Sequence, residues 1–501
     1  MSAFPNSADL LHVLPELIWC VFGALLMLLQ PLTQSRRFLT IVAVMGAILG
    51  VCGNFYSVHN TGTAFSGLIA ADRFSIFFSH LIGLIAIMVI LGANSYLERE
   101  RLADAEFYAL VLFATAGMGV LASAQELLTA FIGLEMSSIS SYILAGYRRD
   151  VLKSGESSMK YFLLGSFATA FFLYGIALVY GATGTTNLLR MDVTAGAEST
   201  SILLKLGLAL ILIGLGFKVA AAPFQIWTPD VYEGAPTPVT ALFSAGPKAA
   251  TFALLLRIFA DVHAATQFWF YAFWILAALT MFAGNLGALL QTNVKRMLAY
   301  SSIAHAGYIL VAFAAVTKLS ADTNIGAGPA YAAVAFYLLS YALVKVGAFT
   351  IVSQFGGAGE KHLSLDDYAG LGERQPFVAA ALSLFLLSLL GLPITAGFFG
   401  KFYVFKAAVD AHLIWLAVLL AANSIIGAYY YIRLIVIMYM RDPIPEVAAT
   451  TPIRFPVVVN VVLAIAVIGT LWLGILPNYA LNYLLKPGLI NDSQSQITQM
   501  K

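Results

Sequence analysis

Seven of the 27 basic residues, Lys205, Lys218, Lys248, Lys345, Lys401, Lys406 and Arg433, fall inside long apolar runs rather than in the loops between them. Placing a charge at the middle of a bilayer costs about 2.5–3.5 kcal/mol on insertion scales, so an ionisable group there marks a functional site by default. Lys205 and Lys406 lie near run ends and Arg433 is close to Arg441, so these three can extend to the headgroups. Lys218, Lys248, Lys345 and Lys401 are harder to explain in that way. Lys248 follows Pro247, whose missing N–H removes a helical hydrogen bond beside the ammonium and leaves room for water. One acid, Glu135, lies deep in an apolar run, ahead of Ser137, Ser138, Ser140, Ser141 and Tyr142. It needs a cation, Lys218 or Lys248, because an unpaired carboxylate in lipid takes up a proton instead. A fixed ion pair joining two helices is the plainer reading of the same residues. His305, in Ser301-Ser302-Ile303-Ala304-His305, either bonds a serine on a neighbouring turn or carries a proton.

The chemistry these groups suit is proton transfer. A lysine that exchanges protons near neutral pH must come down from its reference pKa of about 10.4 to about 7, which takes about 4 kcal/mol. Burial alone can supply that, and an approaching carboxylate reverses it. Moving one charge through about 100 mV involves about 2.3 kcal/mol, the same scale as the switch.

Two of the runs that must position these lysines are interrupted. The run from Ile202 breaks at Pro223 and continues through Trp227-Thr228-Pro229, with Lys218 just before the break. The run from Phe377 breaks at Gly391-Leu392-Pro393, with Lys401 just after it. Pro223, Pro229, Pro247 and Pro393 are therefore read as breaks or hinges. Paired discontinuous helices in two halves of a chain point to an inverted repeat with an ion path at mid-membrane, although Pro and Gly are also common in ordinary transmembrane helices.

Apolar stretches of roughly 20 residues, each able to cross a hydrocarbon core of about 30 Å as a helix, recur along the whole chain. About fourteen are expected, from Leu10–Leu29 to Phe455–Ile475, giving an all-α polytopic membrane protein. The expected divisions are an N-terminal three-helix segment (1–105), a first repeat (106–263), a second repeat (264–441), and a C-terminal helix and tail (442–501). The first run has no basic n-region and carries Pro15 and Glu16, so it reads as a retained helix and not a signal peptide.

The chain is 60% hydrophobic and 10% charged, with a net charge of +2, so no basic field exists to hold nucleic acid. Cys20 and Cys52 both lie in apolar runs without CxxC or Cys/His spacing, which excludes a zinc or iron-sulfur ligand set. No GxGxxG dinucleotide turn is present. Alternate loops gather Arg36, Arg37, Arg99, Arg101, Arg148, Arg149, Lys153, Lys160, Lys295, Arg296, Lys361, Arg374, Arg441 and Arg454 on one side. Arg73, Arg190, Arg257, Lys318, Lys486 and Lys501 fall on the other, which an even number of spans also gives to both termini. The basic side is expected to face the cytoplasm, leaving the termini periplasmic. The charged loops read as mostly solvated and without chemistry.

The segment from Lys218 through Pro223-Phe224-Gln225-Ile226-Trp227-Thr228-Pro229-Asp230-Val231-Tyr232-Glu233-Gly234-Ala235-Pro236 to Thr240, followed by Gly246-Pro247-Lys248, resembles the signature of the antiporter-like subunits of respiratory complex I, the NADH:quinone oxidoreductase. Lys295-Arg296-Met297-Leu298-Ala299-Tyr300-Ser301-Ser302-Ile303 and Gly391-Leu392-Pro393 through Gly400-Lys401 are also similar. The form Trp-Thr-Pro-Asp-Val-Tyr-Glu-Gly-Ala-Pro looks like one branch, others being expected to read closer to Trp-Leu-Pro-Asp-Ala-His. The resemblance implies fourteen helices with two inverted five-helix repeats in a bacterial inner membrane. It also implies a translocase subunit with no redox centre of its own, while FMN, iron-sulfur clusters and quinone belong to partner subunits. Neighbours would be other antiporter-like and small membrane subunits. Glu135 resembles the family's acid of the fifth helix, Lys218 the lysine of the broken seventh, Lys248 that of the eighth, and Lys401 that of the broken twelfth. Gln225 stands where a histidine is expected and Lys345 where a neutral polar residue is expected, so Lys345, with His305, is a secondary relay site or a local ion partner. Two rival readings share these residues: a cation/proton antiporter subunit, and a structural membrane subunit that moves no ions.

Overall fold

In hydrocarbon the backbone has no water to bond, so each apolar run must close its hydrogen bonds within itself as a helix. The structure, a computed structural model, describes residues 6–33, 35–195, 202–261, 266–319, 327–443 and 455–485, so Arg454, Lys486 and Lys501 of the charge assignment lie outside the described residues. In chain order the helices are α1 (Ser7–His12), α2 (Leu14–Leu29), α3 (Arg36–Gly53), α4 (Phe55–His59), α5 (Arg73–Arg99), α6 (Asp104–Ser123), α7 (Leu127–Ala145), α8 (Leu152–Thr183) and α9 (Leu188–Ala195). They continue as α10 (Ile202–Val219), α11 (Trp227–Gly234), α12 (Thr237–Asp261), α13 (Thr266–Leu289), α14 (Val294–Leu319), α15 (Gly328–Phe355), α16 (Leu371–Arg374), α17 (Pro376–Leu390), α18 (Ala396–Asp410), α19 (Ile414–Met440), α20 (Val457–Ile475) and α21 (Pro477–Leu484).

Among the described residues 12 spans are long and apolar enough to cross a membrane, and two shorter apolar helices, Leu14–Leu29 and Pro376–Leu390, fall below that length. Both short ones belong to expected runs that the structure divides. The first run splits at Val13 (φ −105°, ψ 14°), leaving α1 as a separate surface turn. The other splits at Gly391. One strand pair was not expected: Gly62–Ala64 pairs antiparallel with Ile69–Ala71 between α4 and α5. Each strand has three residues, too few for periodicity to give a strand signal.

Burial sorts the helices into a core and a rim. The apolar windows of α12, α14 and α15 are 100%, 94% and 94% buried, against 33% for α8 and 39% for both α19 and α20. The three central helices carry Lys248, His305 and Lys345. Glycines set two close crossings around them. A Cβ on Gly117 of α6 would stand 2.5 Å from the backbone N of Ser137 on α7, and one on Gly133 2.7 Å from that of Leu121. In the same way Gly284 of α13 would meet Ala304 N of α14, and Gly307 would meet Met281 N at 2.6 Å. Small residues that let backbones meet are how helices associate without a hydrophobic drive.

Arg257, assigned to a loop by alternation, lies instead inside α12, where it makes a bidentate pair with Asp72 at 2.8 and 3.0 Å and donates to the Ala122 carbonyl. Counting loops cannot see a cation whose partner lies 185 residues away. Pro229 also differs from expectation. It occupies the first turn of α11, where a missing N–H costs nothing, so it begins a helix and does not break one.

Candidate functional site: a buried polar axis

At the first break α10 ends at Val219, Ala220 takes φ +61°, and a short turn at Phe224–Ile226 leads into α11. The ends are tied by Trp227 Nε1, which donates to the Phe217 carbonyl at 3.0 Å, and by Ala222 N, which donates to Thr280 Oγ1 at 2.8 Å. Lys218 occupies the last turn of α10, where the helix dipole favours a cation. Its Nζ donates to Tyr142 Oη at 3.3 Å and lies 4.9 and 5.1 Å from the ring centres of Tyr142 and Tyr161, contacts in which aromatic faces take the place of water.

Glu135 makes no ion pair with either expected lysine among the described residues, and its Oε1 is buried without a hydrogen-bond partner. It stands two turns before Tyr142, the residue that accepts from Lys218, on α7. Between Lys218 and Pro247 lies a cavity of about 10 Å³, lined also by Ser137, Ser138, Ser141 and Thr251. That is about the volume one water needs, in a polar wall that can hold it. Gln225 Oε1, at the position expected to be histidine, is buried without a partner.

Lys248 Nζ donates to the carbonyl and hydroxyl of Ser302 at 2.7 and 2.6 Å, and Tyr341 Oη donates to the same hydroxyl at 2.7 Å. One residue earlier, Ser301 Oγ receives Lys345 Nζ at 3.0 Å and shares a 2.5 Å bond with Tyr431 Oη; Lys345 also donates to the Leu298 carbonyl at 2.8 Å. His305 bonds neither serine directly. Its ring nitrogens face Tyr337 Oη at 2.7 Å and Tyr431 Oη at 3.1 Å, so it reaches Ser301 through a tyrosine.

At the second break α17 ends at Gly391 (φ +96°), and α18 starts after Leu392-Pro393-Ile394-Thr395. Lys401 reaches back across it: Nζ donates to the Leu390 carbonyl at 3.0 Å and lies 4.7 Å from the ring centre of Tyr308. The carbonyls left open where a helix stops need such a donor. Tyr308 Oη accepts from Asn285 at 2.9 Å, and its ring meets His305 edge-on at 5.4 Å. The axis thus runs from Tyr142 and Lys218, past the cavity, through Lys248, Ser302, Ser301, Lys345 and His305, to Tyr308 and Lys401. No direct hydrogen bond joins Lys218 to Lys248, and ring contacts make the last two steps, His305 to Tyr308 and Tyr308 to Lys401. Apart from Tyr142, sequence reasoning missed its tyrosines, whose only signal was recurrence, as at Tyr337 and Tyr341, on helices otherwise largely apolar. It also passed over Glu16, whose carboxyl packs against Gly119 of α6.

Many of the charged groups at the basic end are exposed as expected, such as Arg149 and Arg441, but one cluster is buried. Glu360 is 6% exposed and Lys295 0%, joined at 3.0 Å, and Arg148 stands 3.5 Å from the same carboxylate. The other oxygen, Oε1, accepts from Tyr96 Oη at 3.0 Å and from Thr237 N and Oγ1 at 2.8 and 2.5 Å. Burial alone would push the Glu360 carboxyl up, but Lys295 and the Thr237 donors outweigh it and hold it below the usual range. A vestibule of about 420 Å³ opens beside it, lined by Arg148, Glu233, Gly234, Asn293 and Lys361 among others.

Residues 124–427, which contain Lys218, Lys248, Lys345, Lys401 and Glu135, match the family described as NADH:quinone oxidoreductase/Mrp antiporter, transmembrane. The chain belongs to this family. A member named NADH-quinone oxidoreductase subunit N 2, from Koribacter versatilis, is 49% identical over 490 residues, covering 95% of this chain and 96% of its own. One named NADH-quinone oxidoreductase subunit N 1, from Solibacter usitatus, is 46% identical over 485 residues, covering 96% and 97%. A chain of respiratory complex I from Thermus thermophilus, solved with bound aureothin, superposes with a TM-score of 0.79 at 38% identity, covering 94% of this chain and 99% of its own. The antiporter-like fold of the family is therefore the fold that carries the axis. Among the described residues no group of three or more His, Cys, Asp or Glu is placed to hold a metal ion.

Proposed function

We propose that this chain is the subunit N type of proton-translocating subunit in the membrane arm of an NADH:quinone oxidoreductase. The supporting observation is that Lys218, Lys248, Lys345 and Lys401 are buried along one axis, bonded to hydroxyls and carbonyls and not to carboxylates. An ammonium held by neutral acceptors can give up its proton without leaving an acid unpaired, whereas a static scaffold gains nothing from four of them. Electron transfer from NADH to quinone, at FMN and iron-sulfur centres in partner subunits, drives rearrangements that load and unload these lysines. Glu135 and Lys218 pass charge to Lys248, and Lys248 to Lys401, with His305 and Lys345 between them. The translocase step is the part this chain performs; it binds no redox group itself.

Two inverted repeats, 106–263 and 264–441, flanked by segments 1–105 and 442–501, fit the paired breaks and the paired glycine crossings of α6 with α7 and α13 with α14. The basic end of the bundle faces the cytoplasm and the termini face the periplasm of a bacterial inner membrane, with other antiporter-like and small membrane subunits as neighbours. A second reading, a cation/proton antiporter, is favoured by the family's description, which joins the two activities.

The deciding experiment uses inverted vesicles carrying Lys248→Met, with NADH oxidation and lumen acidification recorded together and assembly checked on a native gel. Assembled complex with sharply reduced acidification is the expected result; unmutated rates would make the lysine structural. Acidification driven by a Na⁺ or K⁺ gradient without NADH would favour the antiporter.

A further inference from the structure

Asn285 is the one amide in the apolar run from Phe268 to Leu290 of α13, and at 0% exposure it must find partners for two N–H bonds and a carbonyl oxygen. All are found. Nδ2 donates to Tyr308 Oη at 2.9 Å, to the Met281 carbonyl at 3.1 Å and to Asn423 Oδ1 at 3.2 Å, while Oδ1 accepts from Tyr430 Oη at 3.1 Å. One side chain of α13 thus ties itself to both α14 and α19. The backbone allows little drift there. Asn285 and Tyr308 each follow a glycine of the α13–α14 crossing, Gly284 and Gly307, at which a Cβ would collide with the facing backbone. Gly427 of α19 is drawn in as well, since a Cβ on it would stand 3.1 Å from Asn285 Oδ1.

The hydroxyl of Tyr308 is therefore gripped at a rigid crossing, while its ring reaches the second break. Lys401 Nζ lies 4.7 Å from the ring centre, and its other contact is the Leu390 carbonyl at 3.0 Å. Among the described residues no carboxylate pairs with this ammonium, so the ring face supplies much of what holds it. A ring face attracts a cation and a ring edge does not, which makes the placement of Tyr308 matter. The bond at Oη fixes where the ring lies, and His305, edge-on at 5.4 Å and 82°, limits how it turns.

We infer that Asn285 is a positioning residue for Lys401: by holding the Tyr308 hydroxyl against α13, it keeps the face of that ring against the ammonium at the second break. The inference rests on the proposed function and names what sets the place of its last lysine. Asn285 carries no proton itself. The unwound stretch Leu392–Thr395 leaves α18, and Lys401 with it, room to shift, and the ring anchored to the α13–α14 pair is the fixed surface against which it shifts.

The test uses the whole complex in inverted vesicles, with difluorotyrosine in place of Tyr308 both in the otherwise unmutated chain and in Asn285→Leu. Fluorine draws charge from the ring face and changes the ring's size little, so it weakens the attraction for an ammonium lying over that face. The expected result is NADH-driven acidification reduced several-fold by fluorination when Asn285 is present, and reduced as far by Asn285→Leu alone, with fluorination then adding nothing. A purely structural amide would leave the fluorine effect as large in Asn285→Leu as without it. If Asn285→Leu lowers the amount of complex, Tyr308→Phe, which keeps the ring and removes the bonded hydroxyl, is compared with its difluorinated counterpart by the same measurement. A fluorine effect that survives loss of the bond, or no effect in the unmutated chain, alongside loss of pumping in Lys401→Met, overturns this inference alone. Unchanged pumping in Lys401→Met removes the proposed function beneath it.

Discussion

Lys218, Lys248, Lys345 and Lys401 share one arrangement, an ammonium facing hydroxyl or carbonyl oxygen and, in three of them, a tyrosine ring within 6 Å. Each oxygen replaces part of a hydration shell without fixing the charge. Lys401 adds a backbone role, because the Leu390 carbonyl it bonds lies at the end of α17. Lys401→Met should therefore both stop pumping and lower stability by about 1–3 kcal/mol, the cost of one unmet buried acceptor, read as a reduced melting temperature of the purified complex. Lys345→Met also removes a bond to Ser301, which keeps Tyr431, and one to the Leu298 carbonyl, and the same readouts apply. Should Lys345→Met pump normally at unchanged stability, Lys345 would be neither relay nor brace. The lysines were legible because a charge in an apolar run stands out in any hydropathy reading. The tyrosines were not, since a residue with an apolar body and one hydroxyl looks the same whether it lies in a core or a relay. The expected Glu135 ion pair failed for a related reason: charge balance names a partner type, while distance is set by helices far apart in sequence.

Both interrupted helices were visible as proline and glycine within apolar runs, and both break where expected, near Pro223 and at Gly391. Gly391 is required there. At φ +96° a side chain is strained, and its Cβ would come within 3.2 Å of Lys401 Cδ. Gly391→Ala should cost about 1–2 kcal/mol from the backbone alone and displace the ammonium, so acidification should fall in complex that still assembles; normal pumping would mean the lysine's position is not critical. The role of Pro229 was not legible, because the first turn of a helix tolerates proline; the division at Val13 did leave a mark, Pro15 in the first turn of α2, which was read only against a signal peptide. The glycine crossings were equally hidden, as spacing alone does not say which of 41 glycines meets a backbone.

Glu360 joins the parts of the whole chain. Its two oxygens bond Tyr96 from the N-terminal segment, Arg148 and Thr237 from the first half, and Lys295 from the second. Glu360→Gln removes the charge and leaves Lys295 buried without its counter-ion, so a loss of about 3–5 kcal/mol is expected, seen as a lower melting temperature at neutral pH. The sign with pH follows from a carboxyl held below its ordinary value of 4.5. Its contribution is complete above that value and is lost as pH falls through the lower folded one. The melting difference between Glu360→Gln and the unmutated complex should thus be full at pH 7 and shrink below about pH 4.5; a constant difference would show that shape, not charge, is what Glu360 supplies. Reading the loops as solvated missed this cluster because Glu360 is hidden by helices that start and end around it. The glycine contacts have a consequence for motion as well. Where α6 meets α7 and α13 meets α14 the backbones touch, and neither pair can slide or tilt without collision. Compliance is left to the short unwound stretches at Ala220–Pro223 and Leu392–Thr395, each within a turn or two of a buried lysine. A push delivered to one end of this molecule would then be felt first at the two places where the charge sits.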